Sequence, residues 1–228
     1  MKNIALILVS FGRCELLKQT LSSLLATEEG HRASITVIDN GSQPHVVDAL
    51  VSNKKNIDNL ILLNDNRGKP YAWNLGVQIV NERCLALERF LPEYYLFCDS
   101  DLIFKEGWLD RLLETYDCHR DLPLGILSGF AHIKHQLNIC SNPLYPNNDI
   151  NIAPFPAGCC MFMHRSVYEK VGKFDDSRLI RTVDTSYYRR AHTAGYVTAC
   201  VHPDSVIEHT GWHERTWNIL DGKPKLLK

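Results

Sequence analysis

The chain has 228 residues, 45% of them hydrophobic and 22% charged, with 25 basic against 26 acidic side chains. That length supports one sizeable core and is short for two. The balanced charge argues against nucleic acid held by bulk electrostatics. No run approaches the about 20 apolar residues that span a bilayer, so no integral membrane segment is expected.

The eight cysteines form no C-x-x-C pair, so they read as buried thiols rather than a zinc site. Such thiols suit a cytoplasmic setting.

In chain order, Ile4–Val9 is a continuous apolar run with an abrupt polar stop, the mark of a buried strand. Cys14–Ala26 spaces Leu17, Leu21 and Leu24 along one helical face. Ile35–Ile38 is a second strand, Val46–Val51 a short helix, Leu60–Leu63 a third strand, Pro70–Phe90 a helix and Tyr94–Phe97 a fourth strand. Strands alternating with helices imply a mainly parallel sheet covered on both faces. Glu106–Tyr116 then reads as a helix, Leu124–Phe130 as a strand, and Ser141–Pro156, rich in proline and asparagine, as a long loop. Cys159–Met163 is a strand, and Ser166 is placed to cap a short helix through Val171. Asp184–Thr193 is a helix stopped by Gly195, and Tyr196–Val201 a last strand before a tail with Trp212, Trp217 and several lysines.

Sheets of this kind place ligands beyond the carboxyl ends of their strands. The segments there are Ser10-Phe11-Gly12-Arg13, Asp39-Asn40-Gly41-Ser42, Asn64 to Lys69 and Asp99-Ser100-Asp101. Two carboxylates one residue apart can hold a divalent cation, and the cation a diphosphate. With 15 aspartates, about one Asp-x-Asp arises by chance, so its place at a strand end carries the argument. Asp39-Asn40-Gly41-Ser42 is equally an ordinary turn. Gly68 before Lys69 and Pro70 suits an anion at a helix start, or only a helix start.

In order and spacing these blocks resemble glycosyltransferase family 2, inverting enzymes of the GT-A fold. The likeness covers Ile4 to Ser10 with Arg13; Val37 to Ser42; Asn66 to Gly76; Asp99-Ser100-Asp101; Gly158; Arg165, Gly172, Phe174 and Asp175; Asp184, Arg190, Gly195 and Tyr196; and His209. It departs where Gly12 stands for the usual asparagine, and where Val183 and Ser186 stand for the acids that commonly flank the catalytic aspartate.

The resemblance implies a single Rossmann-like α/β domain, with residues 1–101 binding the nucleotide-sugar and 102–228 the acceptor. It implies a metal-dependent inverting transferase. Asp184 would be the general base. Ser10, Arg13, Asp39, Arg67, Lys69, Asp99 and Ser100 would hold a UDP-sugar. Asp99, Asp101 and His209 would hold Mn²⁺ or Mg²⁺. The acceptor would be a hydroxyl of a glycan, a lipid-linked acceptor or another glycoconjugate; a lipid-linked one would bring the chain to a membrane surface. Two alternatives stay open: an enzyme acting on modified DNA bases, and a nucleotide-sugar-binding module without catalysis. A nucleotidyltransferase would need more glycine after the first strand, and an Asp-x-Asp phosphatase would carry its nucleophile on that strand. The oligomeric state is not readable.

Overall fold

The computed structural model describes residues 3–130, 139–140, 150–177, 183–202 and 204–210. The first half runs β1 (Ile4–Ser10), α1 (Cys14–Ala26), β2 (Ser34–Asp39), α2 (Pro44–Ser52), β3 (Asn59–Leu62), α3 (Lys69–Ala86) and β4 (Tyr94–Asp99). The second runs β5 (Leu102–Phe104), α4 (Trp108–Cys118), β6 (Leu124–Ser128), β7 (Ile139–Cys140), β8 (Ile150–Ile152), β9 (Cys160–His164), α5 (Arg165–Val171), α6 (Val183–Thr193), β10 (Val197–Val201) and β11 (Ile207–His209).

Nine strands form one sheet in the order β3-β2-β1-β4-β9-β6-β10-β8-β7. β1 is parallel to β2 and β4, β2 to β3, and β6 to β10, while β9 runs antiparallel between β4 and β6. This is the mainly parallel mixed sheet expected from the alternation of elements.

All seven residues of β1 are buried because both faces are covered. Ile4, Leu6 and Leu8 pack against α1, α2 and α4; Ala5, Ile7 and Val9 pack against α3, α5 and α6. Leu17, Leu21 and Leu24 bring α1 onto the first face, each worth about 1.5–3 kcal/mol. On the other face α3 lies close: a Cβ at Gly76 would fall 2.4 Å from Ile7 Cγ2.

Four readings of the sequence change. Ser166 is not the cap of α5; it lies inside the helix, and the His164 ring, on a residue of extended backbone, accepts from the Ser166 N–H at 3.2 Å. The 141–156 stretch is not all loop, since Ile150–Ile152 pairs with β10. Tyr196–Val201 is not the last strand: β11 follows and pairs with β5 in a separate two-stranded sheet. Val183, not Asp184, opens α6. Trp212, Trp217, the lysine tail and positions 141–149 lie outside the described residues. The seven described cysteines are all free thiols, four of them buried.

Candidate active site

Ser10 and Asp39 end the neighbouring strands β1 and β2, directly opposite one another, and both are fully buried. Asp39 Oδ2 accepts the Ser42 N–H at 2.9 Å. Among the described residues Ser10 Oγ and Asp39 Oδ1 have no hydrogen-bond partner. Leaving a buried polar atom unpaired costs about 1–3 kcal/mol. Two such atoms stand at the ends of adjacent strands, where a ligand could meet them.

The turn after β2 shapes the next segment. Gly41 has φ +79, and a Cβ there would sit 2.5 Å from the Asp65 carbonyl carbon, so only glycine lets the two loops lie together. Asn40 cross-links them: its Nδ2 donates to Asn66 Oδ1 at 2.8 Å, and its Oδ1 accepts the Arg67 N–H at 2.9 Å. Gly68 N–H also reaches Asn66 Oδ1, at 2.9 Å. The linked loops start α3 at Lys69.

Lys69 Nζ contacts both oxygens of Asp99, at 3.0 and 3.2 Å, and lies 4.5 Å above the Trp73 ring. Burial opposes the Lys69 charge, but Asp99 and then Asp184 outweigh it and raise its pKa. Burial pushes the Asp99 carboxyl up against the pull of Lys69. The direct ammonium–carboxylate contact holds the two as an ion pair. Arg67, two residues before Lys69, is exposed, its guanidinium 4.5 Å over Tyr71.

Ser100 is buried, and Asp101 is 5% exposed. Arg13 Nη1 meets Asp101 Oδ2 at 2.7 Å. Arg13 adopts φ 49, a left-handed conformation that costs a side-chain-bearing residue about 1–2 kcal/mol. That strain aims the guanidinium from the start of α1 at the carboxylate. On the other side His209 Nε2 lies 3.2 Å from Asp101 Oδ1. The small sheet delivers it: His209 pairs with Leu102, and Thr210 N and Oγ1 both donate to the Asp101 carbonyl at 2.9 Å. Among the described residues no three His, Cys, Asp or Glu side chains form a ready metal cage. The carboxylate–imidazole pair of Asp101 and His209 is nonetheless a donor set of the kind that Mn²⁺ or Mg²⁺ accepts.

Asp184, in the first turn of α6, reaches the same place through Gly158. A Cβ on Gly158 would fall 2.1 Å from Asp184 Oδ2, so the carboxylate rests on the bare backbone there. The next residue, Cys159, accepts the Asp99 N–H at 2.9 Å. One short segment thus carries Asp184 to Asp99 and Lys69.

Two matched residues turn out to hold the frame. Asn74 Nδ2 donates to the Phe174 carbonyl at 2.9 Å, and Asn74 Oδ1 accepts the Phe174 N–H at 2.9 Å, tying α3 to the segment after α5. Arg190 donates to the Val171 and Lys173 carbonyls at 3.0 and 2.7 Å. The sequence reading passed over Phe11, 53% exposed beside Ser10; its only signal was an aromatic residue in a strand-end loop.

Residues 5–172 match the model of the family described as Glycosyl transferase family 2. The chain belongs to that family. Among curated relatives, the poly-β-1,6-N-acetyl-D-glucosamine synthase of Staphylococcus aureus (strain COL) is 24% identical over 140 residues, 61% of this chain and 31% of that protein. The Staphylococcus epidermidis enzyme of the same name is 26% identical over 139 residues, again 31% of its length. The family 2 chain thus spans about a third of the relatives it matches.

Among solved structures, residues 1–349 of S. aureus TarS superpose with TM-score 0.67 at 13% identity, covering 92% of this chain and 60% of that one. GalNAc-T7, crystallised with UDP, GalNAc and Mn²⁺, gives 0.67 at 12%, covering 92% and 44%. The mannosyltransferase PcManGT of Pyrobaculum calidifontis, crystallised with GDP-Man and Mn²⁺, gives 0.58 at 15%, covering 97% and 65%. At such identities the likeness is one of fold, and it establishes the GT-A architecture. No helix among the described residues is long and apolar enough to cross a membrane.

Proposed function

We propose that this family 2 protein moves a sugar from a nucleoside-diphosphate sugar, with UDP as the favoured nucleotide, to an acceptor hydroxyl with inversion at the anomeric carbon. The observation that carries the reading is the convergence at the strand ends. The reading is supported by Ser10 Oγ and Asp39 Oδ1, buried and unpaired among the described residues, the Lys69–Asp99 pair, the Arg13–Asp101–His209 group, and Asp184.

In this reading Asp39 Oδ1 accepts the imide N–H of the base, Ser10 lies beside it, and the exposed Phe11 ring offers a stacking face. Lys69 and Arg67 stand on the side of the diphosphate. Asp101 and His209, with Asp99 nearby, would hold Mn²⁺ or Mg²⁺, which would supply positive charge to offset that of the departing diphosphate. Asp99 is itself engaged by Lys69. Asp184 removes the proton of the acceptor hydroxyl as its oxygen bonds to the anomeric carbon. The bond from that carbon to the β-phosphate oxygen breaks, its electron pair leaving with the diphosphate. General-base help of this kind is worth about 10²–10⁴ in rate. A glycan or lipid-linked hydroxyl is the acceptor class.

The test is release of nucleoside diphosphate from a panel of nucleotide-sugars with Mn²⁺, repeated with EDTA and with Asp184→Asn. Turnover of one donor, lost in both controls, is the expected result. Asp184→Asn with full turnover and an intact fold removes the base from the mechanism. Stabilisation of the protein by UDP and Mn²⁺ without any turnover would favour a binding module.

A further inference from the structure

A second residue of α6 has no structural use for its polar atom. Tyr188 is 1% exposed, and its hydroxyl has no hydrogen-bond partner, whereas the hydroxyl of its neighbour Tyr187 reaches Met163 Sδ at 3.8 Å. A phenylalanine would fill the same space without leaving a buried O–H unpaired.

Its place on α6 sets it beside Asp184. Tyr188 follows Asp184 by one helical turn, so the two share a face. Long helical side chains lean towards the helix N-terminus, which brings the ring over the turn that carries Asp184. Burial first, and then the carboxylates Asp184 and Asp99, hold the phenol proton on, with the Cys159 and Cys160 thiols beside them, so the hydroxyl stays a donor. These neighbours come from α6 itself, from the Gly158–Cys160 segment and from the end of β4.

We infer that Tyr188 is a positioning residue of the transfer reaction, whose phenol O–H donates a hydrogen bond to the Asp184 carboxylate when donor and acceptor fill the site. The bond fixes one carboxylate oxygen and leaves the other to take the acceptor proton. Among the described residues the hydroxyl has no partner. The inference rests on the base role proposed for Asp184.

The experiment compares Tyr188→Phe with the unaltered protein and with Asp184→Asn, using the nucleotide-sugar selected by the panel and water as acceptor. Tyr188→Phe is expected to lower kcat about tenfold to hundredfold, the worth of one hydrogen bond to a charged group. KM for the donor should stay unchanged, and the midpoint of thermal unfolding should stay or rise. A merely structural hydroxyl would instead lower the midpoint and shift KM with kcat. Full kcat in Tyr188→Phe beside an inactive Asp184→Asn overturns this inference and leaves the base in place. Full turnover in both removes the base reading, and this inference falls with it.

Discussion

Gly158→Ala isolates the placement of Asp184 from its chemistry. The new methyl carbon would stand 2.1 Å from Asp184 Oδ2, 2.5 Å from its Cβ and 2.6 Å from its Cγ. Rotating the carboxylate relieves the first contact but not the second, because Cβ is fixed by the helix. Non-bonded carbons need about 3.5 Å, so the start of α6 must retreat by about 1 Å. Forcing an extra carbon into a packed place costs about 1–3 kcal/mol. Misplacing a reacting group by about 1 Å costs about 10²-fold in rate. The expected result is therefore a modest fall in unfolding midpoint with a fall in kcat of about 10²-fold. Gly125→Ala is the matched control. Its Cβ would meet Tyr196 Cβ at 2.6 Å near the amino end of β6, away from the site. It should lose stability yet keep kcat within about twofold. Donor turnover and thermal unfolding, measured on both variants, check this. Gly158→Ala with undiminished kcat would mean that the carboxylate on Gly158 takes no part in the rate-limiting step.

Other perturbations act on separate parts. Asp39→Ala should weaken UDP binding about tenfold by calorimetry, and by leaving the Ser42 N–H without its acceptor should cost about 1 kcal/mol in stability. His209→Ala should raise the Mn²⁺ concentration needed for turnover by at least about tenfold, seen in a metal titration after EDTA treatment. Asn74→Ala leaves the Phe174 N–H and carbonyl unpaired and should cost about 2–3 kcal/mol in denaturant unfolding, with donor KM unchanged. The Arg32 hydrogen bond lowers the pKa of Asp110, so this surface pair contributes fully above the ordinary carboxylate range and fades as pH falls through the lowered folded value. Asp110→Asn should therefore cost under about 1 kcal/mol at neutral pH and nothing in strong acid.

The first half was legible in the sequence because its signals are local. A parallel strand buried on both faces is an unbroken apolar run, as in Ile4–Val9, and the polar residues after it mark the ligand edge. What stayed hidden depends on partners far along the chain. Leu102–Phe104 and Ile207–His209 are too short to show a period of two, and each exists only because the other pairs with it. Ser166 and His164 are both able to cap a helix, and the backbone angles that favour His164 cannot be read from composition. The Arg13–Asp101 pair joins residues 88 apart in sequence that follow the neighbouring strands β1 and β4.

These distant pairings also explain why the site needs the whole described fold. Asp101 follows β4 in the first half, yet its carbonyl is held by Thr210 and its carboxylate, besides Arg13, by His209, both beyond β10. Asp184 stands on a helix of the second half but rests on Gly158, whose neighbour Cys159 is bonded to Asp99. Asp99 and Asp101 are thus each tied to a segment of the second half, Asp99 through its N–H to Cys159 and Asp101 to His209 and Thr210. Cutting the protein after Asp101 would leave Asp39 and Ser10 in place on β2 and β1 but strip Asp101 of His209 and the site of Asp184. On the proposed reading such a fragment, even if folded, would still bind the base and would lose turnover.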